Sequence, residues 1–211
     1  LNTVAVRVAE DIGRGRVIQS ARRLGITSPL TPHPSIALGA GEVTPLELTA
    51  AYAVFANGGF AVAPYGISEV RQGGEVVFRR SARPPRRVIE AEAAAQTTDM
   101  LRAVVEWGTG RNAKIDRPAA GKSGTSQDFR DAWFVGYAGD LVVTVWVGND
   151  NNTPTRRITG SSIPAAIWKD FMSTPLAASV AAPARPDPAT PKAAPPTRER
   201  IDPTFIEQQT D

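Results

Sequence analysis

The four residues of this chain best suited to chemistry stand together: Lys122, Ser123, Gly124 and Thr125. Lys122 supplies a positive charge, Ser123 and Thr125 supply hydroxyl donors, and Gly124 removes the side chain where a ligand would approach the backbone. Such an edge suits an anion, above all a carboxylate. The sequence that follows decides how it is held. Asp131 to Tyr137 and Leu141 to Gly148 are rich in Val, Trp, Phe and Tyr and are separated by Ala138-Gly139-Asp140, a pattern that predicts an antiparallel hairpin. The run before it predicts a further strand, so the Lys-Ser-Gly-Thr group would lie on a sheet.

Two rival readings stay open on these residues alone. Gly121-Lys122-Ser123 could end a phosphate-binding loop, but the Gly required five residues earlier is Asp116, and strand-like sequence follows where a helix should start. An ordinary polar turn between strands would carry the same four residues. The lone His33 lies between Pro32 and Pro34 with no acidic partner near it in sequence, so general-base chemistry there has no support. With no Cys and one His, neither a disulfide framework nor a thiolate or His-ligated metal site is expected, and no cofactor is implied.

Composition excludes further classes. The net charge of +3, from 24 basic and 21 acidic residues, is too small to mark a nucleic-acid-binding protein. The densest positive stretch, Arg79 to Arg87, is broken by Pro84 and Pro85 and reads as a solvated loop. No apolar run reaches the roughly 18 to 20 residues of a membrane span, and the first residues show no signal-peptide pattern, so the chain reads as soluble.

The elements that must position Lys122 to Thr125 follow from periodicity and punctuation. Val4, Val8, Ile12, Val17, Ile18, Ala21 and Leu24 have helical spacing interrupted at Gly13-Arg14-Gly15, which predicts two short helices, the second closed by Gly25. Asn2 falls at the mouth of the first, where capping is its ordinary role. Ile26 to Gly41 is turn material, broken by Pro29, Pro32 and Pro34. Thr44-Pro45-Leu46-Glu47 opens the clearest helix: N-cap, proline at the first helical position and capping-box Glu, with Asn57-Gly58-Gly59 as the stop. Its interior, Leu46 to Phe55, is apolar nearly all round and predicts burial. Ala61 to Phe78 reads as strand material with a hairpin turn at Gln72-Gly73-Gly74. Glu90 to Trp107 predicts a helix with Ala93, Ala94, Thr97, Met100, Leu101, Val104 and Val105 on its apolar side, ended by Gly108-Thr109-Gly110. Ser162-Ile163-Pro164 starts a last helix carrying Ile167, Trp168, Phe171 and Met172. From residue 174 to 211 the chain turns to Ala and Pro, seven of its 18 prolines falling between Pro183 and Pro203. Such a tail cannot bury enough apolar surface to offset chain entropy and is expected to be disordered.

Taken together, these segments resemble a known family. Gly121-Lys122-Ser123-Gly124-Thr125, followed by Asp131-Ala132-Trp133-Phe134-Val135-Gly136-Tyr137 and preceded by Gly108-Thr109-Gly110-Arg111, resembles the Lys-Thr/Ser-Gly strand of the penicillin-binding transpeptidases. Leu38-Gly39, Val43 to Glu47, Asn57-Gly58-Gly59, Ile163 to Trp168 and Phe171-Met172 resemble the class A, bifunctional penicillin-binding proteins of the 1A type. The likeness covers about residues 1–172 in order, and the agreement of separated motifs is more specific than any one of them.

The resemblance implies an α+β fold, an antiparallel sheet flanked by helices like that of the DD-transpeptidases and serine β-lactamases, with residues 1–173 as the C-terminal portion of a transpeptidase domain and 174–211 as its tail. The family builds one cleft from Ser-x-x-Lys, Ser-x-Asn and Lys-Thr/Ser-Gly. Lys122-Ser123-Gly124 matches the third, and Asn2 matches the Asn that ends the second. No serine of this sequence has Lys three residues on, so the nucleophile motif is expected in a missing N-terminal half, leaving an incomplete sheet with uncovered apolar surface and an inactive fragment. The implied reaction is acyl transfer: a serine attacks the penultimate D-Ala carbonyl of a peptidoglycan stem peptide, D-Ala leaves, and an amine of a neighbouring strand takes the acyl group. Lys122, Asn2 and Thr125 would be catalytic, with Ser123, Gly124 and Thr125 binding substrate; the Thr125 N–H would donate to the oxyanion. Stem peptides, β-lactams and other cell-wall synthesis proteins are the implied partners. Nucleic acid is not, and a membrane would enter only through the missing part of a parent at the periplasmic face of the inner membrane. A DD-carboxypeptidase or β-lactamase shares the Lys-Ser-Gly strand, and a catalytically silent fragment remains the alternative outside enzyme chemistry.

Overall fold

The structure, a computed structural model, describes residues 2–81, 84–174 and 177. The expected tail lies outside the described residues apart from Thr174 and Ala177.

Helices α1 (Asn2–Ile12) and α2 (Arg14–Arg23) are separated by Gly13 alone. Its φ of 96° suits a residue without Cβ, while Gly15 continues inside α2. Gly25, at φ 104°, donates its N–H to Arg22 O and closes α2 as expected. Val4, Val8 and Ile12 form an exposed apolar stripe on α1.

Helix α3 (Pro45–Ala56) has the full capping box: Thr44 Oγ1 accepts from Glu47 N at 3.2 Å, and Glu47 Oε2 accepts from Thr44 N at 3.0 Å. The same Glu47 carboxylate also accepts from the N–H and hydroxyl of both Thr27 and Ser28. These bonds hold its pKa well below the usual carboxylate range and pin the turn segment onto the helix start. Burial of α3 is less complete than its composition suggests. Ala50, Ala51 and Val54 are buried, but Leu46, in the first turn, is 62% exposed.

The stretch from Ala61 is strand only in part. β1 (Glu69–Gln72) and β2 (Glu75–Arg79) pair about a Gly73-Gly74 turn, with a bulge at Val70/Arg71, whereas residues 61–68 are irregular. The basic loop after it is also not simply solvated. Arg80 stacks on Tyr65, and Arg87 stacks on Phe60 while donating to Gly58 O, so side-chain stems find aromatic partners that a count of charges does not reveal. Helix α4 (Ala91–Glu106) buries Ala94, Leu101 and Val105. Ala93 and Met100, assigned above to its apolar side, are exposed, because the buried stripe is narrower than the run of apolar letters.

β3 (Ala120–Thr125), β4 (Asp131–Ala138) and β5 (Leu141–Gly148) form one antiparallel sheet in the order β3-β4-β5, with β4 central. The two-residue turn Gly139-Asp140 joins β4 to β5. Alternation along β4 sends side chains to two helical layers. On one face Phe134 meets Trp168 of α5 (Ile163–Met172), ring centroids 5.4 Å apart, and Trp168 Nε1 donates to Gly136 O at 3.3 Å. A side chain at Gly136 would crowd this layer, since a Cβ would lie 2.9 Å from the main-chain Ala120 O and 3.1 Å from the Trp168 and Phe134 rings. On the other face Tyr137 packs with Leu101 of α4 and Tyr52 of α3, and its hydroxyl meets Thr98 Oγ1 at 2.8 Å. Burial raises the Tyr52 phenol to about 12. This is the expected α+β arrangement, an antiparallel sheet flanked by helices.

Candidate active site

The register Ala120↔Tyr137 through Thr125↔Ala132 fixes β3 against β4, and among the described residues β3 pairs with no other strand. Its other edge is therefore open. Ser126 N–H donates across the ladder to Asp131 O. By the two-residue alternation of antiparallel pairing, the Thr125 N–H points away from β4, toward the open edge. Gly121 anchors the strand start: a Cβ would sit 2.8 Å from Val135 O and 2.9 Å from the Phe134 ring.

Lys122 reaches the surface, and its Nζ donates to Ser123 O at 2.7 Å. Partial desolvation of the ammonium lowers its pKa from the ordinary lysine value, and no carboxylate among the described residues pairs with it. The site therefore offers an uncompensated cation. Ser123 Oγ lies 2.9 Å from Thr109 Oγ1, and Thr125 Oγ1 accepts from Gly160 N at 3.1 Å. The two hydroxyls of β3 are thus each held by a neighbouring segment.

Both segments are rigidly placed. Gly108 N donates to Ala103 O and Gly110 N to Val104 O, and a Cβ on Gly108 would come within 2.8 Å of Val104 Cα, so the turn after α4 lies flat on its last coil. On the other side, Thr159, Ser161 and Ser162 make a tight turn before α5: Ser162 N and Ser162 Oγ donate to Thr159 O. Asn112 Nδ2 donates to Ser161 O at 2.7 Å and ties the two segments together. Gly160 is pressed onto the Gly124–Trp133 pair. The close approach to the Gly124 backbone anticipated for a ligand is thus made, on that face, by Gly160. Asn112, Gly160 and Ser161 carry no local signal for this role, since their meeting with β3 is tertiary.

Asn2 heads α1, which packs on α2 and on the short 3-10 turn at Pro34–Leu38. Its side chain is exposed and, among the described residues, forms no hydrogen bond to β3. Lys122, Ser123, Gly124 and Thr125 share one strand, whereas Asn2 stands on a helix whose main contacts are α2 and the 3-10 turn. His33 caps that 3-10 turn, its Nδ1 accepting from Ser35 N at 3.3 Å and lying 2.7 Å from Ser35 Oγ. Among the described residues no carboxylate bonds to the ring, so this Ser–His contact lacks the third member of a catalytic relay. No metal-binding group of His, Cys, Asp and Glu occurs among the described residues.

An exposed cation, two held hydroxyls and an outward N–H on one strand can bind a carboxylate and stabilise an adjacent oxyanion. Known proteins resemble this chain over most of its length. The family model of the penicillin-binding protein transpeptidase domain matches residues 31–173. Penicillin-binding protein 1A of Aquifex aeolicus is 40% identical over 174 residues, covering 82% of this chain and 24% of that protein. Its Pseudomonas aeruginosa counterpart is 32% identical, covering 83% of this chain and 28% of the relative. The crystal structure of penicillin-binding protein 1A from Haemophilus influenzae superposes with a TM-score of 0.74 at 28% identity, over 82% of this chain and 33% of that one. The chain spans about a quarter of the length of the curated relatives it matches.

Proposed function

The chain belongs to the penicillin-binding protein transpeptidase family, and on that premise we propose that it supplies the carboxylate-binding wall of a peptidoglycan DD-transpeptidase. The observation that carries this reading is the strand from Lys122 to Thr125, where a cation with no counter-ion among the described residues stands beside two hydroxyls fixed by Thr109 and Gly160.

The nucleophile comes from a part of the parent protein outside this chain, since no serine here has Lys three residues on. That serine attacks the carbonyl of the penultimate D-Ala of a stem peptide, and the carbonyl oxygen becomes an oxyanion. The outward Thr125 N–H donates to that oxyanion; loss of one such donor typically costs about 2.7 to 4 kcal/mol in the barrier. Collapse breaks the C–N bond, terminal D-Ala leaves with a proton, and an ester to serine remains. An amine of a second strand then displaces serine and completes the cross-link. Through these steps Lys122 provides positive potential, and Ser123 and Thr125 donate to the terminal carboxylate of the substrate. Asn2 contributes to the substrate amide when the remainder of the cleft is in place. A β-lactam acylates the same serine, because its ring amide and carboxylate present the same pair of groups. The parent carries a glycosyltransferase domain as well and works outside the cytoplasmic membrane. No helix among the described residues is long and apolar enough to cross a membrane.

The test is acylation of the full-length parent by a fluorescent penicillin. Thr125→Val keeps shape and the backbone N–H but removes a hydroxyl, so the second-order rate should fall by one charge-assisted hydrogen bond, about 1.5 to 3 kcal/mol. Lys122→Ala should be slower still, since it removes the site's charge, while circular dichroism shows both variants folded. Parental acylation by folded Lys122→Ala would end this reading, as would stoichiometric labelling of a serine within residues 1–211.

A further inference from the structure

The hydrogen-bond arrangement around β3 has a direction built into it. A hydroxyl has one proton to give and two lone pairs to receive with. Thr125 Oγ1 already receives from the Gly160 N–H, which has no other role to play, so the Thr125 proton is left to donate elsewhere. Ser123 Oγ is 2.9 Å from Thr109 Oγ1, a contact in which either oxygen could be donor. A carboxylate has no proton to give. Once one docks on Ser123, the single Ser123 proton must go to it, and the contact with Thr109 survives only if Thr109 is the donor.

We propose that Thr109 is a positioning residue for carboxylate recognition: its hydroxyl donates to Ser123 Oγ, so that Ser123, like Thr125 under Gly160, is committed to donate outward. The inference rests on the transpeptidase reading and adds to it a residue outside the Lys-Ser-Gly-Thr strand. The Thr109 hydroxyl is not needed to hold its own turn. Gly108 N to Ala103 O, Gly110 N to Val104 O and Asn112 Nδ2 to Ser161 O already fix that segment through other groups. Thr109 is exposed, so its methyl group fills no core space. What remains for the hydroxyl is Ser123.

In the full-length parent, Thr109→Val, Thr109→Ser and Ser123→Ala are compared for acylation by a penicillin and by its methyl ester, which has no carboxylate charge. Thr109→Val should slow the free acid about threefold to tenfold, the size of one neutral hydrogen bond, and leave the ester within about twofold. Thr109→Ser should restore the rate, and Thr109→Val should add nothing when Ser123 is already Ala. An unchanged rate with the acid, an equal loss with acid and ester, or an additive loss in the Ser123→Ala background would each overturn the assignment while leaving the transpeptidase reading in place. A parent protein that takes up neither compound would overturn both.

Discussion

Substitution of Gly160 by Ala tests whether the site is held from outside its own strand. A Cβ there would lie 2.1 Å from Trp133 O, 2.3 Å from Gly124 O and 2.8 Å from Gly124 N, all main-chain atoms that cannot rotate aside. Since Cβ atoms essentially never approach within 3.0 Å, the turn must withdraw by nearly an ångström or push β3 away from β4. Either movement stretches the 3.1 Å bond from Gly160 N to Thr125 Oγ1 beyond hydrogen-bonding range. Overpacking of this kind costs about 1 to 3 kcal/mol of stability. The Thr125 hydroxyl, displaced with the strand or left free to rotate, loses part or all of a bond to a charged group worth about 1.5 to 3 kcal/mol, or up to about a hundredfold in rate. The assay is the second-order rate of acylation of the full-length parent by a fluorescent penicillin, with a thermal melt to confirm folding. Gly66→Ala is the control, as a Cβ there meets nothing within 4 Å and the backbone is not left-handed. A folded Gly160→Ala protein that acylates at the parental rate would refute the idea that this turn sets the site.

Two further outcomes follow from the packing and from the pKa shift. Trp168→Ala removes a fully buried ring, its contact with Phe134 and its bond to Gly136 O, and should cost about 3 to 5 kcal/mol in chemical denaturation of the domain; a loss below about 1 kcal/mol would contradict its place in the core. Glu47→Gln should speed amide exchange at Thr27 and Ser28, whose N–H groups the carboxylate holds. Because the folded pKa is depressed, that protection is fully present above the ordinary value of 4.5 and is lost only as pH falls through the lower folded value, so the gap between wild type and variant should narrow below pH 4.5 and not above it.

Much of this was legible in the sequence because the signals were local. Thr44, Pro45 and Glu47 satisfy their own backbone within four residues, and Gly139-Asp140 turns its own hairpin. The Lys122 to Thr125 strand was visible by residue type and by its likeness to a family motif. Other features depended on atoms far away in the chain. Glu47 reads as a capping residue, yet four of its six donors come from Thr27 and Ser28. Gly160 reads as one more turn glycine until its approach to Gly124 is seen. Helical periodicity placed Met100 on the apolar side of α4, but which part of an apolar arc is covered depends on the sheet beneath it, and Met100 is 64% exposed. Ala61 to Ser68 has strand-like composition, but among the described residues it makes only isolated backbone bonds, Ala61 N to Arg86 O and Arg80 N to Ser68 O, and no ladder.

The β1–β2 hairpin lends itself to use as a handle. Its residues are exposed on both faces, with only Glu69 partly covered, and it turns at two consecutive glycines whose φ values of 59° and 89° no longer side chain would favour. Among the described residues nothing in the Trp168 core or around Lys122 draws on it, so within this chain a peptide tag or a fluorophore attached between Gly73 and Gly74 would leave the site undisturbed. A protease cut at the same point would leave β3 and its two supporting turns as they are.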